Sequence, residues 1–228
     1  MSSNPDGHAT KMRQEWDHRH RGYRINVNID NATLWWVSQR RGLLANVPLF
    51  FALFWRRGEV DAPLLTWSLG LILLLMGVAV RIWAQSHILH RLVKSMQLTG
   101  TGPYQMVRNP LYIGNTLIIV GATVFSKLLW LAPLSLLWCA IVYSLVVHYE
   151  ERNLSQLYGE PYRQYLAQVP RWFPRLSSLK KPDFTNQYSA RAVRAELHCF
   201  LVILPFLLKD MLPNSVWHSL WNGLRAQL

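Results

Sequence analysis

The stretch LYIGNTLIIVGATVFS, Leu111 to Ser126, meets Lys127 and continues as LLWLAPLSLLWCAIVYSLVVHY, Leu128 to Tyr149. Two apolar runs joined at Ser126-Lys127 predict a helical hairpin with antiparallel arms. Polar motifs flank it on both sides. Before it stand Gly102-Pro103-Tyr104 and Arg108-Asn109-Pro110; after it come Glu150-Glu151, Leu154, Tyr158-Gly159, Tyr162, Tyr165 and Val169-Pro170-Arg171. Polar groups at the mouth of a membrane bundle are costly to keep, so this pairing is the best pointer to function in the chain.

The composition suits a membrane bundle. Of 228 residues, 51% are hydrophobic and only 16% charged, against roughly 25% charged in an average soluble protein. Eleven tryptophans fit a residue that favours the membrane–water interface. The net charge of +12 could suggest nucleic acid, but the basic residues interrupt apolar runs and form no stripe with interleaved aromatics. Anionic headgroups explain the charge better. Cys139 and Cys199 both lie in apolar runs, with no C-x-x-C and no disulfide framework. The polar residues after Met1 argue against a cleaved signal peptide.

Residues 1–41 read as a basic cytoplasmic tail, with Leu34 to Val37 lying on the headgroups. Gly42 to Trp55 is a short first span, and Arg56-Arg57-Gly58 with Asp61-Ala62-Pro63 makes a turn. Leu64 to Ala84 is the clearest span; Arg81 near its end can snorkel to the interface. The hairpin gives two more, and Leu197 to Leu212, bent at Pro205, a last short one. The expected architecture is therefore all-α: a multi-pass transmembrane helix bundle of about five spans. Its domain would cover 42–212, with a motif core at 81–175 and a C-terminal tail at 213–228. Lysine and arginine are rich in the N-terminal tail, in 85–110 and in 150–195, which puts all three on the cytoplasmic side. With four spans, the first run lying on the surface, the two motifs still share one face.

Each motif also has a plain structural explanation. Asn109 is a good N-cap and Pro110 is tolerated at the first helical position; the free N–H groups there, beside Arg108, make an anion seat, or merely a capped helix. Glu150 and Glu151 diverge by about 100° on a helix, so one can face the bundle while the other meets solvent or Arg152. The helix is expected to run to Tyr158 and stop at Gly159, with Pro161 just beyond. Tyr158, Tyr162, Tyr165 and Trp172 also fit an interfacial aromatic belt. His87 and His90 are half of a metal site at most, and a headgroup-level pair otherwise; His148 is a possible neighbour of Glu150. No metal site, Walker loop, dinucleotide fingerprint or G-x-S-x-G is recognised.

The ordered set, covering roughly residues 64–175, resembles the isoprenylcysteine carboxyl methyltransferase and phospholipid methyltransferase family, in its bacterial-type branch. That family's pattern is G-P-Y, R-H-P-x-Y-x-G, a hairpin, E-E-x-x-L, an aromatic-Gly pair, Y-x-x-Y and V-P-R. Arg81-Ile82-Trp83-Ala84 is similar to the family's approach to its site. Asn109 stands where the eukaryotic prenylcysteine enzymes carry His, and an amide cannot titrate near neutral pH.

The resemblance implies an integral-membrane enzyme that takes a methyl group from S-adenosylmethionine, in a cytoplasmic pocket closed by residues 150–175. Arg108, Asn109, Pro110 and Tyr112 would hold the cofactor's carboxylate end. Glu150 or Glu151 would take its α-amine or ribose. Tyr104, Tyr112, Tyr162 and Tyr165 would line its adenine or its sulfonium, a cation drawn to aromatic faces. Arg108, Arg171 and Glu151 would be catalytic, Arg171 orienting an anionic substrate. Expected partners are membrane lipids and an amphiphilic or small apolar acceptor offering a carboxylate, amine or thiol, in a bacterial inner membrane. The rival functions are an NADPH-dependent membrane sterol-type reductase and a non-catalytic lipid-binding scaffold.

Overall fold

A computed structural model describes residues 29–93, 98–175 and 188–211. Most of the basic N-terminal tail, Lys94 and the 213–228 tail lie outside the described residues. Among the described residues the chain is helical, without a strand. Its elements are α1 (Ile29–Gln39), α2 (Arg41–Ala45), α3 (Val47–Phe54), α4 (Pro63–Val93), a 3-10 turn (Gly102–Gln105), α5 (Pro110–Phe125), α6 (Leu131–Tyr158), α7 (Glu160–Gln168), α8 (Ser189–Glu196), a second 3-10 segment (Leu197–Val202) and α9 (Leu204–Met211).

Two of these helices are long and apolar enough to cross a membrane: Pro63–Ile88 within α4, and α6. Only 28% and 39% of their most apolar windows are buried. The rest presents Leu64, Leu65, Leu69, Ile72, Leu75, Leu136, Leu137 and Ile141 outward. A solvated surface rarely carries apolar belts of that size, whereas lipid favours them. α5, with 16 residues, reaches about 24 Å at 1.5 Å per residue, less than a bilayer's hydrocarbon thickness.

The expected first and last spans are broken. Gly42 to Trp55 is split at Asn46, which sits at φ −85, ψ 1 and donates from its side-chain amide to Gly42 O at 2.9 Å. A local side-chain bond of that kind competes with the helix ladder. The last run is interrupted at Ile203, not at Pro205. Pro205 falls in the first turn of α9, where its missing N–H costs nothing.

α4 and α5 are held by a seam of small residues. A Cβ added to Gly77 would meet Gly114 O at 2.6 Å, and one added to Gly121 would meet Gly70 O at 2.8 Å. Each glycine pair repeats after seven residues, so the two backbones touch along one stripe. Close backbone approach through small residues is the main packing device available inside a membrane. Around this pair, Val37, Ala45, Ile119, Cys139, Val142, Tyr143 and Val146 form a core that joins α1 and α2 to the hairpin.

The end of the bundle away from the polar motifs is tied by charge. Lys209, 2% exposed, reaches Ala52 O, Trp55 O and Glu59 at 2.7–2.9 Å. Lys127 bridges Asp210 at 2.9 Å and Glu59 at 3.7 Å. Arg56 adds a guanidinium bond to the Lys209 carbonyl, and this ion cluster fastens α9 to the α3–α4 turn and to the hairpin tip.

Replacing Gly77 with Leu should drive α4 from α5. Overpacking of this kind costs about 1–3 kcal/mol, so the melting temperature in detergent should fall clearly. Gly100→Ala, with nothing near its Cβ, should leave it unchanged. Equal melting temperatures would mean the seam is not tight.

Candidate active site

The site is built where α5 begins and α6 ends. The chain enters through Gly102, whose φ of +58 and whose contact with the buried His87 ring leave no room for a side chain. His87 also shares a 2.9 Å hydrogen bond between its Nδ1 and Thr101 Oγ1. It is therefore a packing element that sets the Gly102-Pro103-Tyr104 turn, rather than a headgroup histidine; the His90 side chain is outside the described ones.

From that turn, residues 106–109 run beside the segment after α7. Arg108 N–H donates to Pro170 O at 2.9 Å, and Arg175 N–H to Met106 O at 3.0 Å. Asn109 does not cap α5 with its side chain. Its Nδ2 donates instead to Arg171 O at 3.1 Å, while its own carbonyl accepts from Tyr112 and Ile113 N–H and starts the helix. Tyr165 OH closes the far side by donating to Tyr104 O at 2.9 Å. The 150–175 segment is thus laced to the first motif by main-chain and side-chain bonds.

α6 runs unbroken past Glu150 and Glu151 to Tyr158 and ends at Gly159, φ +59; Pro161 enters the first turn of α7. The two carboxylates diverge as a helix requires. Glu151, 9% exposed, accepts from Arg108 Nη1 at 3.0 Å and from Arg171 through both Nε, at 3.2 Å, and Nη2. Glu150 accepts from Tyr112 OH at 2.7 Å and Arg41 Nη1 at 2.9 Å. The two motifs therefore meet at one end of the bundle, and Glu150 and Glu151 face different partners there. The basic partner of Glu150 comes from α2, which nothing in the spacing of the motifs announces.

Two guanidinium groups on one carboxylate leave a surplus of one positive charge. Arg108 Nε is buried without a hydrogen-bond partner among the described residues, a donor that an incoming acceptor would satisfy. Tyr162 and Tyr165 lie beside this cluster, ring centroids 6.0 Å apart. Burial, and secondarily Glu151, pushes the Tyr162 phenol up to about 12; burial raises Tyr165 as well. Both stay neutral at physiological pH. Beside Arg41, the residues Ser38, Gln39, Arg41, Gly42, Asn115 and Tyr143 line a half-open cavity of about 370 Å³. Arg81 does not snorkel. It pairs with Glu196 at 2.7 Å and donates to Asn115 Oδ1, because a carboxylate from α8 lies within reach.

The molecule is an apolar helix bundle with a charged, aromatic-lined cluster at one end, and two of its helices are long and apolar enough to cross a membrane. Residues 65–161 match the family model of phospholipid methyltransferases, so that stretch of the chain is similar to that family. The match takes in Tyr104, Arg108 to Pro110, Tyr112, Glu150 and Glu151, and stops just before Tyr162. The chain is also 36% identical over 123 residues to the nickel-cobalt-cadmium resistance protein NccN of Alcaligenes xylosoxydans xylosoxydans, covering 54% of this chain and 55% of that protein. It is 33% identical over 120 residues to the cobalt-zinc-cadmium resistance protein CzcN of Cupriavidus metallidurans, covering 53% and 54%. The chain spans about half the length of the curated relatives it matches. No solved structure matches it.

The raised phenols give a pH signature. A phenol whose folded pKa is raised contributes stability that is complete below its ordinary value of 10 and is lost as pH climbs toward about 12. Tyr162→Phe should therefore flatten the fall in melting temperature across that window. An unchanged alkaline slope would place Tyr162 in water.

Proposed function

We propose that the protein is an integral-membrane methyltransferase that moves a methyl group from S-adenosylmethionine to a lipophilic or small apolar acceptor. The observation that carries this reading is Glu151 held between Arg108 and Arg171, with Arg108 Nε buried and unpartnered. The methionine part of the donor has a carboxylate and an α-amine. The surplus positive charge of the cluster suits the carboxylate, and Glu151 suits the amine. Charge pairing of this kind is stronger here than in water, because the site is partly withdrawn from solvent. These residues fit the donor, and the family match supports it.

When bound, S-adenosylmethionine supplies an electrophilic methyl carbon for in-line displacement. The protein's own residues position and neutralise. Arg108 and the start of α5 hold the carboxylate. Tyr104, Tyr162 and Tyr165 present aromatic surface to the adenine or the sulfonium. Asn109 keeps Arg171 and the 150–175 segment closed over the site. Glu150, with Tyr112 and Arg41, forms the wall toward the cavity of α1, α2, α5 and α6. Arg171 orients an anionic acceptor once the donor has taken over Glu151. A carboxylate or thiolate acceptor needs no strong base, and an amine needs only to lose a proton.

In this reading the site faces the cytoplasm, as the basic segments around it suggest, and the acceptor arrives through the bilayer. The relatives are named for resistance to nickel, cobalt, zinc and cadmium, so a methylated membrane component that matters under metal load is the acceptor class to search first.

Calorimetric titration of the purified protein with S-adenosylhomocysteine and with NADPH tests the donor. The former should bind and the latter should not; the reverse would identify a reductase, and binding of neither a scaffold. Arg108→Ala should weaken S-adenosylhomocysteine by at least about tenfold, in line with loss of a charge-assisted bond of about 1.5–3 kcal/mol, and more than Arg81→Ala does. Glu151→Gln should weaken it more than Glu150→Gln. An equal effect of the two glutamine variants would discard the division of roles between the carboxylates.

A further inference from the structure

We propose that Glu196, His198 and Cys199 form a second site, separate from the methyl-donor cluster, for one thiophilic divalent cation such as zinc or cobalt. α8 ends at Glu196 and the chain tightens into the 3-10 segment Leu197–Val202. In that tighter winding, residues three apart eclipse, which brings Cys199 under Glu196. Cys199 Sγ lies 3.3 Å from Glu196 Oε2 and 3.9 Å from His198 Nε2. The three donor atoms all lie within 4.8 Å of one another. Ligands on a tetrahedral ion, with metal–sulfur bonds of about 2.3 Å and metal–nitrogen bonds of about 2.0 Å, stand roughly 3.5 Å apart. The observed separations bracket that value.

The donor set selects the ion. Thiolate, imidazole and carboxylate together suit a borderline-soft, four-coordinate cation, and exclude magnesium and calcium, which want oxygen. Glu196 and Cys199 are buried, Cys199 against Leu74, Val78 and Ile118, while His198 is exposed, so an ion enters on the histidine side and takes its fourth ligand from outside the protein. Binding breaks the Cys199 S–H bond, the proton passes to solvent, and a sulfur–metal bond forms. A dication with one thiolate and one carboxylate is neutral.

Arg81 is the competing cation. Its Nε and Nη2 hold Glu196 Oε2 and Oε1 at 2.7 and 3.0 Å. A metal on Oε2 displaces only the Nε bond and leaves Arg81 on Oε1, so both cations can share the carboxylate. The ion would therefore pull on the residue that also grips Asn115 at the cavity beside Arg41.

The test uses the full chain in detergent, stripped with a chelator and titrated with Co2+. One equivalent should give a thiolate-to-cobalt charge-transfer absorption that Zn2+ removes. Cys199→Ser should abolish the band and Cys139→Ser should keep it. The exposed His198→Ala, which has no packing role to lose, should weaken Co2+ by at least about tenfold, since even outer-shell changes cost that much, while S-adenosylhomocysteine affinity stays as in wild type. Absence of the band, its survival in Cys199→Ser, or wild-type Co2+ affinity in His198→Ala would overturn the site.

Discussion

One carboxylate shared by two guanidinium groups organises the end of this bundle where the two polar motifs meet. Glu151 stands near the end of α6, Arg108 just before α5, and Arg171 beyond α7. A charge this far from water is tolerable only when it is paired and its lone pairs are satisfied. Pairing Glu151 from both sides forces the chain before the hairpin and the chain after it onto the same spot. The main-chain bonds from Arg108 to Pro170 and from Arg175 to Met106 then follow as the cheapest way to satisfy the polar backbone of two segments already brought together.

The remainder of the fold supplies a frame of fixed width for that meeting. The glycine seam sets α4 against α5 with backbones touching, so the start of α5 has little freedom to slide. At the other end, Lys209 and Lys127 with Glu59 and Asp210 anchor the hairpin tip. Between these two polar ends the helices carry apolar side chains outward, as a bilayer requires. α1 and α2 close the inner flank and lend Arg41 to Glu150. The result is a layered molecule: a charged cluster around Glu151, an apolar waist with a polar-lined cavity, and an ion cluster at the far end.

The hairpin, the stop at Gly159 and the convergence of the two motifs were legible in sequence because hydropathy, a C-terminal glycine and charge counts each report on local energetics. The division of Glu150 from Glu151 was legible as geometry, since adjacent helical residues must diverge, but their partners were not. Arg41 sits more than a hundred residues away, and no spacing rule links α2 to α6. Asn109 looked like a helix cap because its type and place fit; the nearby Arg171 carbonyl won its amide instead. Arg81 looked like an interfacial residue because α8, which carries Glu196, has no apolar signature of its own. The breaks at Asn46 and Ile203 were hidden by composition, since a single Asn inside one apolar run and an isoleucine inside the other do not announce a helix end. The Glu196-x-His198-Cys199 spacing stands in the chain, but its geometry depends on a 3-10 turn that composition does not announce.

The proposed chemistry requires the donor's amino acid end to sit at Glu151 and Arg108. A structure of the protein determined with S-adenosylhomocysteine bound would decide it most directly. The ligand's carboxylate should lie within hydrogen-bond distance of Arg108 and its amine against Glu151, with at least one of the two arginine–Glu151 pairs opened to admit it. A ligand seated elsewhere in the bundle, with the Arg108–Glu151–Arg171 cluster closed as it is here, would contradict it.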